Sequence, residues 1–133
     1  MIFVDTSVWV DALRDGASPA AVHLRELLDV DDVALAAPVR LEILADATRR
    51  NRARLRSTLA ALPLYRPTDA TWERLEKCVD RAGDAGGRFG FADLLVAAIA
   101  ADQDAALWTN DVDFARMARL GFVRLHRPGS TAR

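Results

Sequence analysis

The run Ile2-Phe3-Val4 leads straight into Asp5, Thr6 and Ser7, and a helical pattern of Val8, Trp9, Ala12 and Leu13 starts at once. A wholly apolar run this short reads as a strand buried on both faces, the mark of a central strand in a parallel sheet. Such a strand needs helices over both of its faces. It also leaves Asp5 at the strand's carboxyl end, the edge at which open α/β sheets bind ligands. Function then turns on which other residues reach that edge.

The pattern of strand followed by helix continues along the chain. Helices are predicted from about Thr6 to Leu13 and, capped by Ser18 with Pro19 at its first position, on to about Asp29. Val22, Leu24, Leu27 and Leu28 form the inner side of the second helix. Val33 to Ala37 is a second apolar strand, and Pro38 opens a third helix with Glu42 in its second turn. An arginine-rich helix covers about Arg52 to Leu62, with a third strand near Leu64 to Arg66. Thr68 or Asp69 caps a helix carrying Trp72, Leu75, Val79 and Ala82 at helical spacing. The segment from Phe89 to Ala101 is almost wholly apolar, so it must be buried nearly all round, and Asp93 is its single charge. Ala106 to Trp108 and Phe122 to Leu125 complete the strands. This alternation specifies an α/β fold, a parallel sheet with helices on both faces. It spans one domain, residues 1–126, followed by a flexible polar tail, residues 127–133.

At 133 residues and 51% apolar composition the chain can bury a sizeable core. No apolar run is long enough to cross a bilayer, the start lacks a basic leader region, and Cys78 is the sole cysteine. The expectation is a cytoplasmic protein without membrane attachment. Net charge is −1, but Arg49, Arg50, Arg52, Arg54 and Arg56 crowd into a short stretch. The default for this run is a solvated helical hairpin; RNA phosphates or an acidic protein segment are the alternatives. Core packing is the default for Trp9 and Trp72.

Four carboxylates stand out by position. Asp5 and Asp111 each follow a strand, Glu42 lies one turn into the helix after the second strand, and Asp93 sits in the first turn of the buried helix. Singly, each has an ordinary explanation as a helix cap, a dipole partner or a surface acid. Jointly they would meet on one rim, and a carboxylate in an apolar helix needs a partner. Clustered carboxylates repel, so one or more takes up a proton unless a cation shares the site. All-oxygen ligation suits a hard cation, Mg²⁺ or Mn²⁺. Such an ion can activate a water and stabilise the departing oxygen of a phosphodiester. Zinc is disfavoured, since His23 and His126 lie far apart with no partner ligands nearby in sequence. The chain has no glycine-rich phosphate loop, no nucleophile elbow, and no second aspartate two residues after Asp5.

The pieces Phe3-Val-Asp5-Thr-Ser-Val-Trp9, Glu42, Phe91-Ala-Asp93-Leu-Leu-Val-Ala-Ala98 and Thr109-Asn-Asp111-Val-Asp113-Phe114 resemble, in order and spacing, the PIN-domain ribonucleases. The likeness is to the VapC-type toxins of bacterial toxin–antitoxin pairs in particular. It implies a PIN-like three-layer sandwich around a sheet of about five parallel strands, Mg²⁺-dependent RNA cleavage, a homodimer, and a VapB-like antitoxin encoded alongside. Carried over by position, Asp5, Glu42, Asp93 and Asp111 form the catalytic, metal-holding set, with Asp5 and Asp93 the most direct ligands. Asp111 or Asp113 takes the fourth place, and the family pattern favours Asp111. Thr6, Ser7 and Thr109 either orient carboxylates from outside the ligand set or serve as local caps. The rival readings are a PIN-like binding module with a degenerate site and a structure-specific DNA nuclease.

Overall fold

The computed structural model describes residues 1–129. Its elements run β1 (Ile2–Val4), α1 (Thr6–Arg14), α2 (Pro19–Asp29), β2 (Val33–Ala36), α3 (Ala37–Asp46) and α4 (Arg49–Leu59). They continue with β3 (Leu64–Tyr65), α5 (Asp69–Asp84), α6 (Phe91–Asp102), β4 (Ala106–Trp108), α7 (Val112–Arg119) and β5 (Arg124–Leu125). The five strands form one sheet in the order β3-β2-β1-β4-β5. Every pairing is parallel. β1 is central, as its uninterrupted apolar run requires: Phe3 and Val4 are 1% exposed, and Leu35 and Leu107 on the neighbouring strands are fully buried.

The strand order reverses at β1. From β1 the chain steps to β2 and then β3 on one side; from β4 it steps to β5 on the other. Right-handed crossovers carry the helices of these two halves to opposite faces. The crevice between the carboxyl ends of β1 and β4 is therefore the topological switch point of the sheet.

Helix α6 anchors one layer. Leu94 through Ala100 are all buried without interruption, which explains why its sequence shows no amphipathic period. Full burial of side chains such as Ile99, Leu107 or Phe114 stabilises by roughly 1.5–3 kcal/mol each. Local signals set the helix starts: Ser18 Oγ accepts from the Ala21 amide, and Thr68 closes a capping box with Thr71. Helix α4 begins at Arg49, earlier than expected, because the Thr48 side chain caps it by accepting from the Asn51 amide. The last strand is shorter than expected; Phe122 and Val123 are buried but precede it.

Trp9 is a core residue, 5% exposed, but Trp72 is 44% exposed and stacks on Phe91 at 6.1 Å. Val22, expected on the inner side of α2, is exposed as well. Among the described residues no helix is long and apolar enough to cross a membrane. The expected flexible tail falls in part on residues 130–133, outside the described residues. Arg127 and Pro128 line a cavity of about 340 Å³ with Trp108, Thr109 and Asn110.

The two histidines, distant in sequence, meet. His23 on α2 and His126 after β5 approach through their Nε2 atoms at 2.8 Å, their rings parallel to within 2°, and Trp108 meets both edge-on. One ring must donate and the other accept, so the contact excludes two protonated rings. Burial, then the neighbouring His23, pushes the His126 pKa below its ordinary value, partly offset by Asp32. A histidine with a depressed folded pKa stabilises the fold above the unfolded value and loses that contribution as pH falls through the folded one. We expect the wild type to lose more melting temperature between about pH 7.5 and about pH 5 than a His126→Phe variant. Parallel pH profiles for the two proteins would contradict it.

Candidate active site

Asp5 stands at the end of β1 and is 6% exposed. It occupies the N-cap position of α1 yet makes no capping hydrogen bond, so helix capping does not explain it. Its Oδ2 instead accepts hydrogen bonds from Ser7 Oγ at 2.9 Å and Thr109 Oγ1 at 2.8 Å. Thr109 follows β4, and its Oγ1 also accepts from the Asp111 amide at 3.0 Å. Ser7 Oγ likewise accepts from the Asn110 amide at 3.1 Å, and the Asp5 amide donates to the Trp108 carbonyl at 2.9 Å. These contacts latch the ends of β1 and β4 together across the switch point.

Asp111 caps α7, its Oδ1 accepting from the Asp113 amide at 2.9 Å. One oxygen thus does the ordinary capping work and the other is left over. Asp113 follows within the first turn of α7, and Asp93 lies in the first turn of α6. Each of Asp93, Asp111 and Asp113 offers a carboxylate oxygen within 4.8 Å of the others, and all three are partly exposed. Glu42 is exposed on α3 and takes a hydrogen bond from Thr6 Oγ1 at 3.0 Å.

The electrostatics show that these acids share one field. The Asp93 pKa is pushed up to about 6, first by burial and then by Asp111, Asp5, Glu42 and Asp113 in turn. Asp93 accepts no hydrogen bond among the described residues that would hold its charge. The sole described basic partner of the cluster is Arg116, whose Nη1 lies 3.4 Å from Asp113 Oδ1. Its guanidinium also sits 4.6 Å from the centre of the Phe89 ring. The amino-terminal ends of α1, α6 and α7 converge on this crevice, and their dipoles offset part of the repulsion.

Of the four acids expected from sequence, Asp93 and Asp111 fall into the tight group. Asp5 and Glu42 lie within the same field but outside that group, Asp5 held by two hydroxyls and Glu42 turned to Thr6. Thr6, Ser7 and Thr109 each contact one of the four acids. Asp113, placed second to Asp111 by the family pattern, is a full member of the tight group. The signal for it was the Asp-x-Asp spacing, which puts one acid on the cap and the next a half-turn inside. Arg116, three residues on, was not singled out; Arg88, nearest in sequence to Asp93, is exposed. The donor set is all carboxylate oxygen, the ligand type that a hard divalent cation prefers.

A family model for the PIN domain matches residues 2–120. The chain belongs to the PIN-domain family. Its relatives include the VapC ribonuclease Mb1587 of Mycobacterium bovis, 34% identical over 125 residues, which span 90% of this chain and 93% of the relative. Among solved structures, the PIN fold matches VapBC2 from Rickettsia felis bound to a promoter DNA fragment, with a TM-score of 0.78 at 20% identity. That match covers 95% of this chain and 98% of the other. VapBC-5 of Mycobacterium tuberculosis, from the VapBC family of toxin–antitoxin systems, matches with a TM-score of 0.65 and 26% identity, over 94% and 96% of the two chains.

A carboxylate with a raised folded pKa leaves the native state most stable when protonated. The stability it withholds is present below about pH 4, the ordinary aspartate range, and lost as pH rises through about 6. In EDTA, Asp93→Asn should therefore melt a few degrees above the wild type at neutral pH. The gap should close toward about pH 4. A variant that melts below the wild type at pH 7 would show that Asp93 is not held against repulsion.

Proposed function

We propose that the protein is the toxin of a toxin–antitoxin pair, an endoribonuclease that hydrolyses RNA phosphodiesters at the acidic crevice with Mg²⁺, or Mn²⁺ in its place. The observation that carries this reading is the trio Asp93, Asp111 and Asp113, with ligand oxygens within 4.8 Å of one another, at the switch point of a PIN fold. The ribonuclease relative, matched along nearly its whole length, supports RNA as the substrate.

Asp93 and Asp111, with Asp5, Glu42 and Asp113 around them, would hold one or two ions. When bound, the cation supplies neutralisation of the carboxylates, polarisation of the scissile phosphate and a water of lowered pKa. The protein's own groups do the rest. Ser7 and Thr109 fix the Asp5 carboxylate in one orientation. Thr6 holds Glu42 Oε1, which leaves Oε2 to accept the proton of the attacking water. Arg116, held over the Phe89 ring, pairs with Asp113. Water adds to phosphorus in line with the 3′ oxygen, which leaves with a proton, giving a 5′-phosphate and a 3′-hydroxyl.

A VapB-like antitoxin is the proposed partner, supported by neighbours that are themselves VapBC proteins, and a homodimer is the proposed state. The cytoplasm is the proposed setting.

The test compares matched RNA and DNA strands with Mg²⁺. The wild type should cut RNA and spare DNA. Asp5→Asn and Asp93→Asn should fold and lose cleavage by at least about 100-fold, since even outer-shell partners of a metal site cost roughly 10–100-fold. Wild-type rates in Asp93→Asn would sink the site assignment.

A further inference from the structure

Helix α4 gives little to the core. Leu59 is its one buried residue, and Leu55 packs partly against the cluster. Its outer surface carries Arg49, Arg50, Arg54 and Arg56, all exposed, and none forms an ion pair among the described residues. Arg52 has a different task. Its Nε donates to the Leu44 carbonyl at 3.0 Å and its Nη2 to the Ala47 carbonyl at 3.3 Å. It pins the first turn of α4 to the last turn of α3, the helix that carries Glu42.

From Ala47 to Thr68 the sequence holds no aspartate or glutamate, in a chain whose net charge is −1. The rest of the chain is therefore net acidic, and the crevice most of all. Like charges three and four residues apart on one helix, such as Arg50 and Arg54, destabilise it unless something of opposite sign covers them. A polyanion approaching a group of carboxylates also needs a positive surface nearby to offset their repulsion.

We propose that α4, pinned to the helix that carries Glu42, is a docking surface for the phosphate backbone of single-stranded RNA, gripping the strand through Arg49, Arg50, Arg54 and Arg56. This rests on the nuclease reading of the crevice for the identity of the polyanion. Arg49 and Arg56 lie on one flank of the helix and Arg50 and Arg54 on another, as a flexible chain of regularly spaced charges can use. An acidic peptide fits less well, because the four arginines lie outside the apolar groove that Val10, Leu13, Ile43 and Leu55 line and no large hydrophobic side chain is exposed on α4 beside them. The surface reads no base, so it adds affinity without sequence preference.

The experiment replaces the four exposed arginines with alanine, and separately with lysine, leaving Arg52 in place. Binding of a mixed-sequence single-stranded RNA is measured in EDTA across a salt series, with melting temperature as the fold control. The alanine variant should melt no lower than the wild type, since it sheds like-charge repulsion on the helix, and should bind at least about tenfold more weakly. Its plot of log affinity against log salt should flatten by about 2–3 units, from roughly 0.7 per lost phosphate contact. The lysine variant should keep the wild-type slope. Equal affinity and slope in the wild type and the alanine variant would overturn the proposal. So would a lysine variant as weak as the alanine one, or an alanine variant that binds RNA normally but loses an acidic peptide. A wild type that binds with this slope but cuts no RNA would sink the nuclease reading and leave the docking surface standing. Cleavage with an unchanged slope in the alanine variant would do the reverse.

Discussion

Mutual repulsion among carboxylates at the mouth of the β1–β4 crevice is the constraint that the rest of this structure accommodates. Burial first, and then the combined charge of Asp111, Asp5, Glu42 and Asp113, push the Asp93 pKa up to about 6. A fold does not assemble such a group for stability; one solvated acid would serve as well for each cap. Arg116, also tied to Phe89, answers only Asp113. The remaining charge is left for something that arrives from solution. A divalent cation meets that need with the ligand type the site offers.

The scaffold tolerates the repulsion because its stability is placed elsewhere. The uninterrupted burial from Leu94 to Ala100 fixes α6 against the sheet, so Asp93 in its first turn cannot swing away. The latch of Asp5 with Ser7 and Thr109 joins two strand ends that are remote in sequence, and it turns what would be a repelling acid into a hydrogen-bonded one. Hydroxyl donors at Ser7 and Thr109 bind the charge without neutralising it. The backbone contact to Trp108 fixes the position of Asp5 as well. Geometry is thus held by neutral groups and charge is left unspent, a division expected of a site that must capture a metal and a phosphodiester at once.

Much of this could be read from the sequence, and for identifiable reasons. The apolar run before Asp5 admits few structures other than a central parallel strand, and the aperiodic apolar segment around Leu95 few other than a buried helix. Ser18 and Thr68 announced their helices by side-chain chemistry. Other features depend on tertiary meeting points that spacing does not encode. His23 and His126 form a pair because β5 ends beside α2. Trp72 sits on the surface because its stacking partner Phe91 lies at the exposed start of α6. In the sequence, an acid in the first turn of a helix, as Asp113 is, has a sufficient local explanation. Its second role appears only when α6 brings Asp93 alongside.

The claim at the centre of this account is that Asp93, Asp111 and Asp113 bind a divalent ion. Titration with Mn²⁺ followed by electron paramagnetic resonance reads that directly, without any assumption about substrate. The wild type should take up Mn²⁺ and release it to excess Mg²⁺, while the triple variant Asp93→Asn, Asp111→Asn, Asp113→Asn, shown to be folded by its melting curve, should bind none at the same concentrations. A folded triple variant that binds Mn²⁺ as the wild type does would contradict the account at its root.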